Sequence, residues 1–170
     1  MRTTDCKTVN YFAYGSNINL SHLRWYLALH QIDLRHHIGR VRHSILHGYY
    51  LRTNYLTWDA SGACNVEPAE GHVVEGLVMT ITEQVRNVLR IKEGWPTCYD
   101  ETQVEVLVGS KSVTAMTYIV APERRLPRDV PVSHEYRELI LEGSRDAGFS
   151  RSYQEQLCRV LKTTPQLVKK

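Results

Sequence analysis

Residues 11–17 read YFAYGSN. An aromatic, strand-like run ends there at a Gly-Ser-Asn corner. Glycine lacks a Cβ, so Gly15 is expected to let the backbone turn with φ > 0. Ser16 and Asn17 then lead toward a helix starting at residues 19–21, and several amide N–H groups point into one space. Such a nest beside a helix N-terminus suits carboxylates and oxyanions. A plain turn with an N-cap accounts for the string equally well.

The segments around this corner set the fold class. KTVNYFAY (residues 7–14) is rich in β-branched and aromatic residues and reads as a strand. INLSHLRWYLALH (18–30) follows as a helix, with Leu20, Leu23, Leu27 and His30 at spacings of three and four along one stripe. GRVRHSILHGYYLRTNY (39–55) is one long or two short strands, bent at Gly48. ACNVEP is expected as a short strand closed by Pro68, and EGHVVEGLVMTI as a separate one. Gly76, inside the latter, marks a bulge or a close approach to the backbone. TEQVRNVLRIKEG (82–94) reads as a helix capped by Thr82 and ended by Gly94. TQVEVLVG and SVTAMTYIV, joined through GSK, form a hairpin with Val104, Val106 and Val108 on one face. Two terminal helices close the chain, and Ser152 with Glu155 suggests a capping box near the start of the second. Strands and helices do not alternate, which disfavours a doubly wound sheet. The order fits an α+β domain: a small mixed β-barrel or strongly curved sheet with helices packed outside. One domain is expected over residues 8–162, with tails at 1–7 and 163–170.

Composition narrows the function classes. The 170 residues are 42% apolar and 23% charged, ordinary for a globular domain and unlike disordered or collagen-like chains. The longest apolar runs are far shorter than a membrane-spanning helix. The polar start, MRTTDCKTVN, has no apolar signal core, so a cytoplasmic location is expected. Cysteines at 6, 64, 98 and 158 form no C-x-x-C pair and fit free thiols in a reducing compartment. Residues 34–52 hold four Arg, four His and no acid. That stripe can attract anions, but a solvated strand face is the plainer reading. The formal net charge of +3 is too small to make nucleic acid the first choice of partner.

Three elements could carry chemistry. Glu93 lies in the last turn of its helix, where the dipole disfavours a carboxylate by about 0.3–1 kcal/mol. If buried there, it would suit a general acid or base; an exposed Glu at a frayed end is the plain alternative. The 11–17 corner is the second element. Tyr99, Tyr118 and Tyr136 are the third, and buried hydroxyls of this kind need partners. The histidines 36, 37, 43 and 47 lie at spacings that scatter the rings over both faces of a strand, so no metal site is expected. No G-x-S-x-G elbow or phosphate loop is present.

Taken in order, YFAYGSN, GACNVEP, VVEGLVM, a helix ending in KEG with Tyr99 after it, TYIV, and SHEYRELILEGSRDAGFSRSYQEQL resemble the γ-glutamylcyclotransferase family, over roughly residues 9–161. The resemblance implies a small mixed barrel and cleavage of a γ-glutamyl amide with release of 5-oxoproline and a free amine. It matches the family's catalytic Glu to Glu93. It matches the glutamyl-binding loop to Tyr11, Phe12, Ala13, Tyr14, Gly15 and Ser16, with Asn17 completing the string. Its pocket tyrosines correspond to Tyr99, Tyr118 and Tyr136. It implies no cofactor, a small-molecule γ-glutamyl substrate and a homodimer. Two positions depart from the family pattern. Arg90 stands where the family often has Asp, and Glu75 where a Trp is common, so an altered pocket rim is expected. The alternatives are removal of a γ-glutamyl group from a biosynthetic intermediate, and a non-catalytic binding module of the same fold.

Overall fold

The computed structural model describes residues 7–164. Most of both expected tails, and Cys6, lie outside the described residues. Five strands, β1 (Thr8–Ala13), β2 (Ile38–Leu56), β3 (Gly62–Thr82), β4 (Tyr99–Val108) and β5 (Lys111–Val120), close a barrel in the order β1-β3-β2-β4-β5. Four of the pairings are antiparallel, and β1 meets β5 in parallel at Tyr11 and Met116. The helices are α1 (Leu20–Leu29), α2 (Leu34–His37), α3 (Glu83–Glu93), α4 (His134–Asp146) and α5 (Arg151–Val160). This is the α+β barrel expected from the sequence.

Several local expectations are corrected. ACNVEP and EGHVVEGLVMTI are one strand, because β3 pairs with β2 along almost its whole length and passes Pro68 opposite Tyr49. Pairing across that long hairpin outweighs the local break. Gly48 does mark a register shift in β2, between His47 and Tyr49. His30 is exposed at the end of α1, while Leu23 and Leu27 are buried. The cap of α5 is Ser150, whose side chain accepts from Tyr153 N at 3.2 Å; Ser152 lies inside the helix, and Glu155 pairs with Arg151.

Gly76 sits where β3 crosses β1 at van der Waals limits. A Cβ there would lie 2.4 Å from the Ala13 carbonyl oxygen and from the Phe12 ring. This close approach lets β1 deliver the corner at residues 14–17 to the barrel mouth. Asn19 fixes the corner from its far side. Its Oδ1 accepts from His22 N at 3.0 Å to cap α1, and its Nδ2 donates to the Leu139 carbonyl of α4 at 3.1 Å. The corner is thus clamped between the barrel and α4.

The basic stripe meets acids from elsewhere in the chain. Arg52 bonds Asp129 at 2.7 Å and Glu67 at 3.2 Å, and His43 bonds Glu75 at 2.8 Å. Arg35 is paired with Asp33 just before the stripe.

Candidate active site

Helix α3 starts on Thr82, whose hydroxyl accepts from Val85 N, and stops at Gly94 in the left-handed conformation, φ 66°. That stop makes Glu93 the final helical residue and turns the chain toward β4. The Glu93 side chain is only 17% exposed. It lies across a cavity from the first corner, and Asn17 bridges the two: one Nδ2 donates to Glu93 Oε1 at 3.1 Å and to the Tyr11 hydroxyl at 2.8 Å. Lys92 Nζ lies 3.8 Å from the same Oε1 and donates to Ser16 Oγ at 3.2 Å. The cation and the amide supply the partners that a helix C-terminus denies a carboxylate.

The cavity, counted together with the open solvent at its mouth, comprises about 310 Å³ of empty space. Tyr11, Tyr14, Gly15, Ser16 and Asn17 form one wall, and Glu93, Tyr99, Tyr118 and Tyr136 the other, together with Cys64. Phe12 and Ala13, expected in the substrate loop, do not line it. Phe12 alternates to the opposite face of β1 and packs over Gly76, while Ala13 is buried in the barrel wall. Gly15 is also corrected. Its φ is −104°, so its role is not a left-handed turn. A Cβ there would meet Cys64 Cβ and the Tyr136 hydroxyl at 3.4 Å, in ordinary van der Waals contact, so Gly15 faces both across the cavity. Among the described residues, no protein acceptor meets the Gly15 or Ser16 N–H, and both residues line the cavity.

The tyrosines divide by their hydroxyl partners. Tyr14 donates to the Tyr118 carbonyl, and Tyr99 to the Cys64 carbonyl at 2.9 Å. The Tyr136 hydroxyl accepts from Cys64 N at 3.0 Å, so Tyr136 and Tyr99 hold the Cys64 backbone through its N–H and its carbonyl. Tyr118 donates to Glu101 Oε1 at 3.0 Å. The Tyr11 hydroxyl accepts from Asn17 and keeps its own proton free to donate. Burial pushes the Tyr11 and Tyr14 hydroxyls well up, and the charge of Glu93 adds to it. Burial also pushes the Cys64 thiol up to about 12, against a hydrogen bond from Tyr136. The cavity therefore sets one carboxylate among neutral hydroxyls and a neutral thiol.

The two departures from the family pattern lie off the cavity. Glu75 is buried under α5, where it accepts from His43 and from Ser150 N at 2.9 Å. Arg90 binds Glu101 through Nε at 2.8 Å and Nη2 at 2.9 Å, beside Arg86. Burial opposes the charge on Glu101, but the two guanidiniums and the Tyr118 hydroxyl outweigh it and hold the carboxyl at about 2. Arg90 thus bears on the cavity only through Glu101 and Tyr118.

A family model described as gamma-glutamyl cyclotransferase, AIG2-like, matches residues 11–138. The chain belongs to this family. Solved structures share the gamma-glutamyl cyclotransferase fold. One, itself a gamma-glutamyl cyclotransferase, aligns at TM-score 0.78 and 20% identity over 96% of this chain and 95% of its own. YkqA from Bacillus subtilis aligns at 0.77 and 21%, over 93% of this chain and 56% of its own. A gamma-glutamyl cyclotransferase specific to glutathione, from yeast, aligns at 0.65 and 14%, over 91% and 95%. No curated protein sequence matches the chain. Family membership supports gamma-glutamyl cyclotransferase activity in general.

Cys64 and Lys92 are site residues that the sequence did not single out. Cys64 had no signal beyond its place in the GACNVEP string. Lys92 could have been suspected from the helix end alone, where a cation suits the dipole.

Proposed function

We propose that the protein cleaves a γ-glutamyl amide by intramolecular attack, releasing 5-oxoproline and a free amine. The observation that carries this reading is the Glu93 carboxylate, largely withdrawn from water, facing the 14–17 corner across one cavity and tied to it by Asn17. The substrate brings its own nucleophile. Its α-amine attacks its γ-carbonyl, the new C–N bond closes a five-membered lactam, and the original amide C–N bond breaks. Holding the two ends in attack geometry is worth about 7–11 kcal/mol of barrier.

Protons must move for this to run at neutral pH. The α-ammonium has to lose a proton before it can attack, and the departing nitrogen has to gain one. Glu93 takes the first proton and delivers a proton to the leaving amine, so no water or cofactor is consumed. A positioned acid–base group of this kind contributes about 10²–10⁴-fold. The Gly15 and Ser16 N–H groups and the Tyr11 O–H are the donors available to the glutamyl carboxylate and to the oxyanion. One donor aimed at an oxyanion is worth about 2.7–4 kcal/mol.

The test is Glu93→Gln, assayed by 5-oxoproline release from γ-glutamyl-alanine and a panel of related amides. The variant is expected to keep the wild-type melting temperature and lose at least about 100-fold in kcat. Substantial residual turnover would remove Glu93 from the proton-transfer role.

A further inference from the structure

A second, larger depression opens directly from the cavity and shares Ser16, Glu93, Tyr99 and Tyr136 with it. It holds about 1110 Å³ of empty space out to solvent, against about 310 Å³ for the inner cavity. One bank is the turn at residues 57–61 between β2 and β3; the other is the last turn of α3. Since Glu93 lies on both, a glutamyl group seated in the inner cavity directs its γ-amide nitrogen, and all that nitrogen carries, into this outer cleft.

The charged groups on the cleft are already engaged. Asp59 accepts from Ser61 N at 3.2 Å, from Ser61 Oγ at 2.8 Å and from the Thr57 hydroxyl, so its carboxylate organises the turn. Lys92 is held by Ser16 and Glu93. Beside the Ser133 hydroxyl, the Cys98 thiol and the Tyr55 ring with its hydroxyl, the large side chains left to meet a ligand are apolar: Trp58, 99% exposed at the tip of the turn, and Ile91, 67% exposed on α3. Large apolar side chains held out on both banks of a cleft continuous with a reaction site are surface that a ligand covers.

We infer that the outer cleft is the leaving-amine subsite and selects amines with an apolar side chain, aromatic or branched aliphatic, over those with a small or a cationic one. This rests on the reaction proposed above. The ligand class follows from which groups are unengaged: a cationic side chain on the amine would have to draw Asp59 from its turn, and an anionic side chain would compete with Glu93 for Lys92.

The experiment compares kcat/KM for 5-oxoproline release from γ-glutamyl amides of alanine, leucine, phenylalanine and the lysine ε-amine. Leucine and phenylalanine are expected to exceed alanine and lysine by about tenfold or more, within the range that extra apolar carbons in a fitted pocket supply. In Trp58→Ala the leucine and phenylalanine amides are expected to fall toward the alanine amide, mainly through KM. Equal values across the panel, or a preference for lysine or alanine, would overturn the subsite and leave the reaction standing. So would an unchanged preference in Trp58→Ala. No release from any amide would overturn the reaction and the subsite with it.

Discussion

Asn17→Asp gives a sharp test of the site, because it changes charge at constant shape. In the wild type an Asn17 N–H faces Glu93 Oε1 at 3.1 Å. An ionised aspartate in its place would set a second negative oxygen there. At 3.1 Å and an effective dielectric of about 20, two unit charges repel by about 5 kcal/mol. Lys92, 3.8 Å from Glu93, takes part of this back, and so does the exposed part of the pair. Like-charged carboxylates sharing a site separate their titrations by about 3 pH units, and a shift of about 1–3 is expected here. The sign is fixed by the repulsion: the pair holds one proton to higher pH than the wild-type site. Over the pH range by which the pair's titration is raised, the carboxyl that should accept the ammonium proton is already occupied. The assay is kcat for 5-oxoproline release between pH 5 and 9. The acid limb should move upward by about 1–3 units, with activity recovering on the alkaline side. A purely structural defect would lower the plateau without moving the limb. If the limb stays in place, Glu93 and residue 17 are not electrostatically joined in catalysis, and the reasoning fails.

Three further outcomes follow from the packing. Gly76→Ala places a methyl 2.4 Å from the Ala13 carbonyl and the Phe12 ring, and should cost about 3 kcal/mol in denaturant unfolding; a loss below about 1 kcal/mol would mean that β1 and β3 are not so closely apposed. Tyr136→Phe strips the acceptor from Cys64 N, which should lower stability by about 1–3 kcal/mol and raise KM while much of kcat survives; a loss of kcat as severe as that of Glu93→Gln would give Tyr136 a chemical role instead. Glu101, held at about 2, stabilises the fold fully above its ordinary 4.5, and that contribution is lost as pH falls through about 2. Glu101→Gln should therefore be less stable at pH 7, by about 1–2 kcal/mol after solvent screening, with the two proteins converging near pH 2; stability curves that stay parallel would contradict the pairing.

What could be read from the sequence was what is local. Alternating valines, the Thr82 cap and the Gly94 stop each act within a few residues, and each is found in place. The unity of β3 was hidden because only pairing with β2, opposite Tyr49, carries a strand through Pro68. Gly15 belongs to the site for a reason other than the one its residue type suggests. Its freedom in φ is not used, and its neighbours across the cavity are Cys64 and Tyr136, which lie far away in sequence.

Lys92 shows where local reasoning stops. Adjacent positions on a helix point about 100° apart, so Lys92 and Glu93 have no intrinsic reason to meet. They do meet because both reach one target outside the helix: Lys92 goes to the Ser16 hydroxyl, and Glu93 to the Asn17 amide. The corner thus gathers two side chains that the helix would splay, and it places a cation and a carboxylate within 3.8 Å of each other at the cavity wall. Their closeness depends on the corner's position, which is set by Gly76 under β1 and by Asn19 against α4. The site's charge arrangement is therefore a property of barrel closure, and a displaced corner would separate the pair without altering either residue.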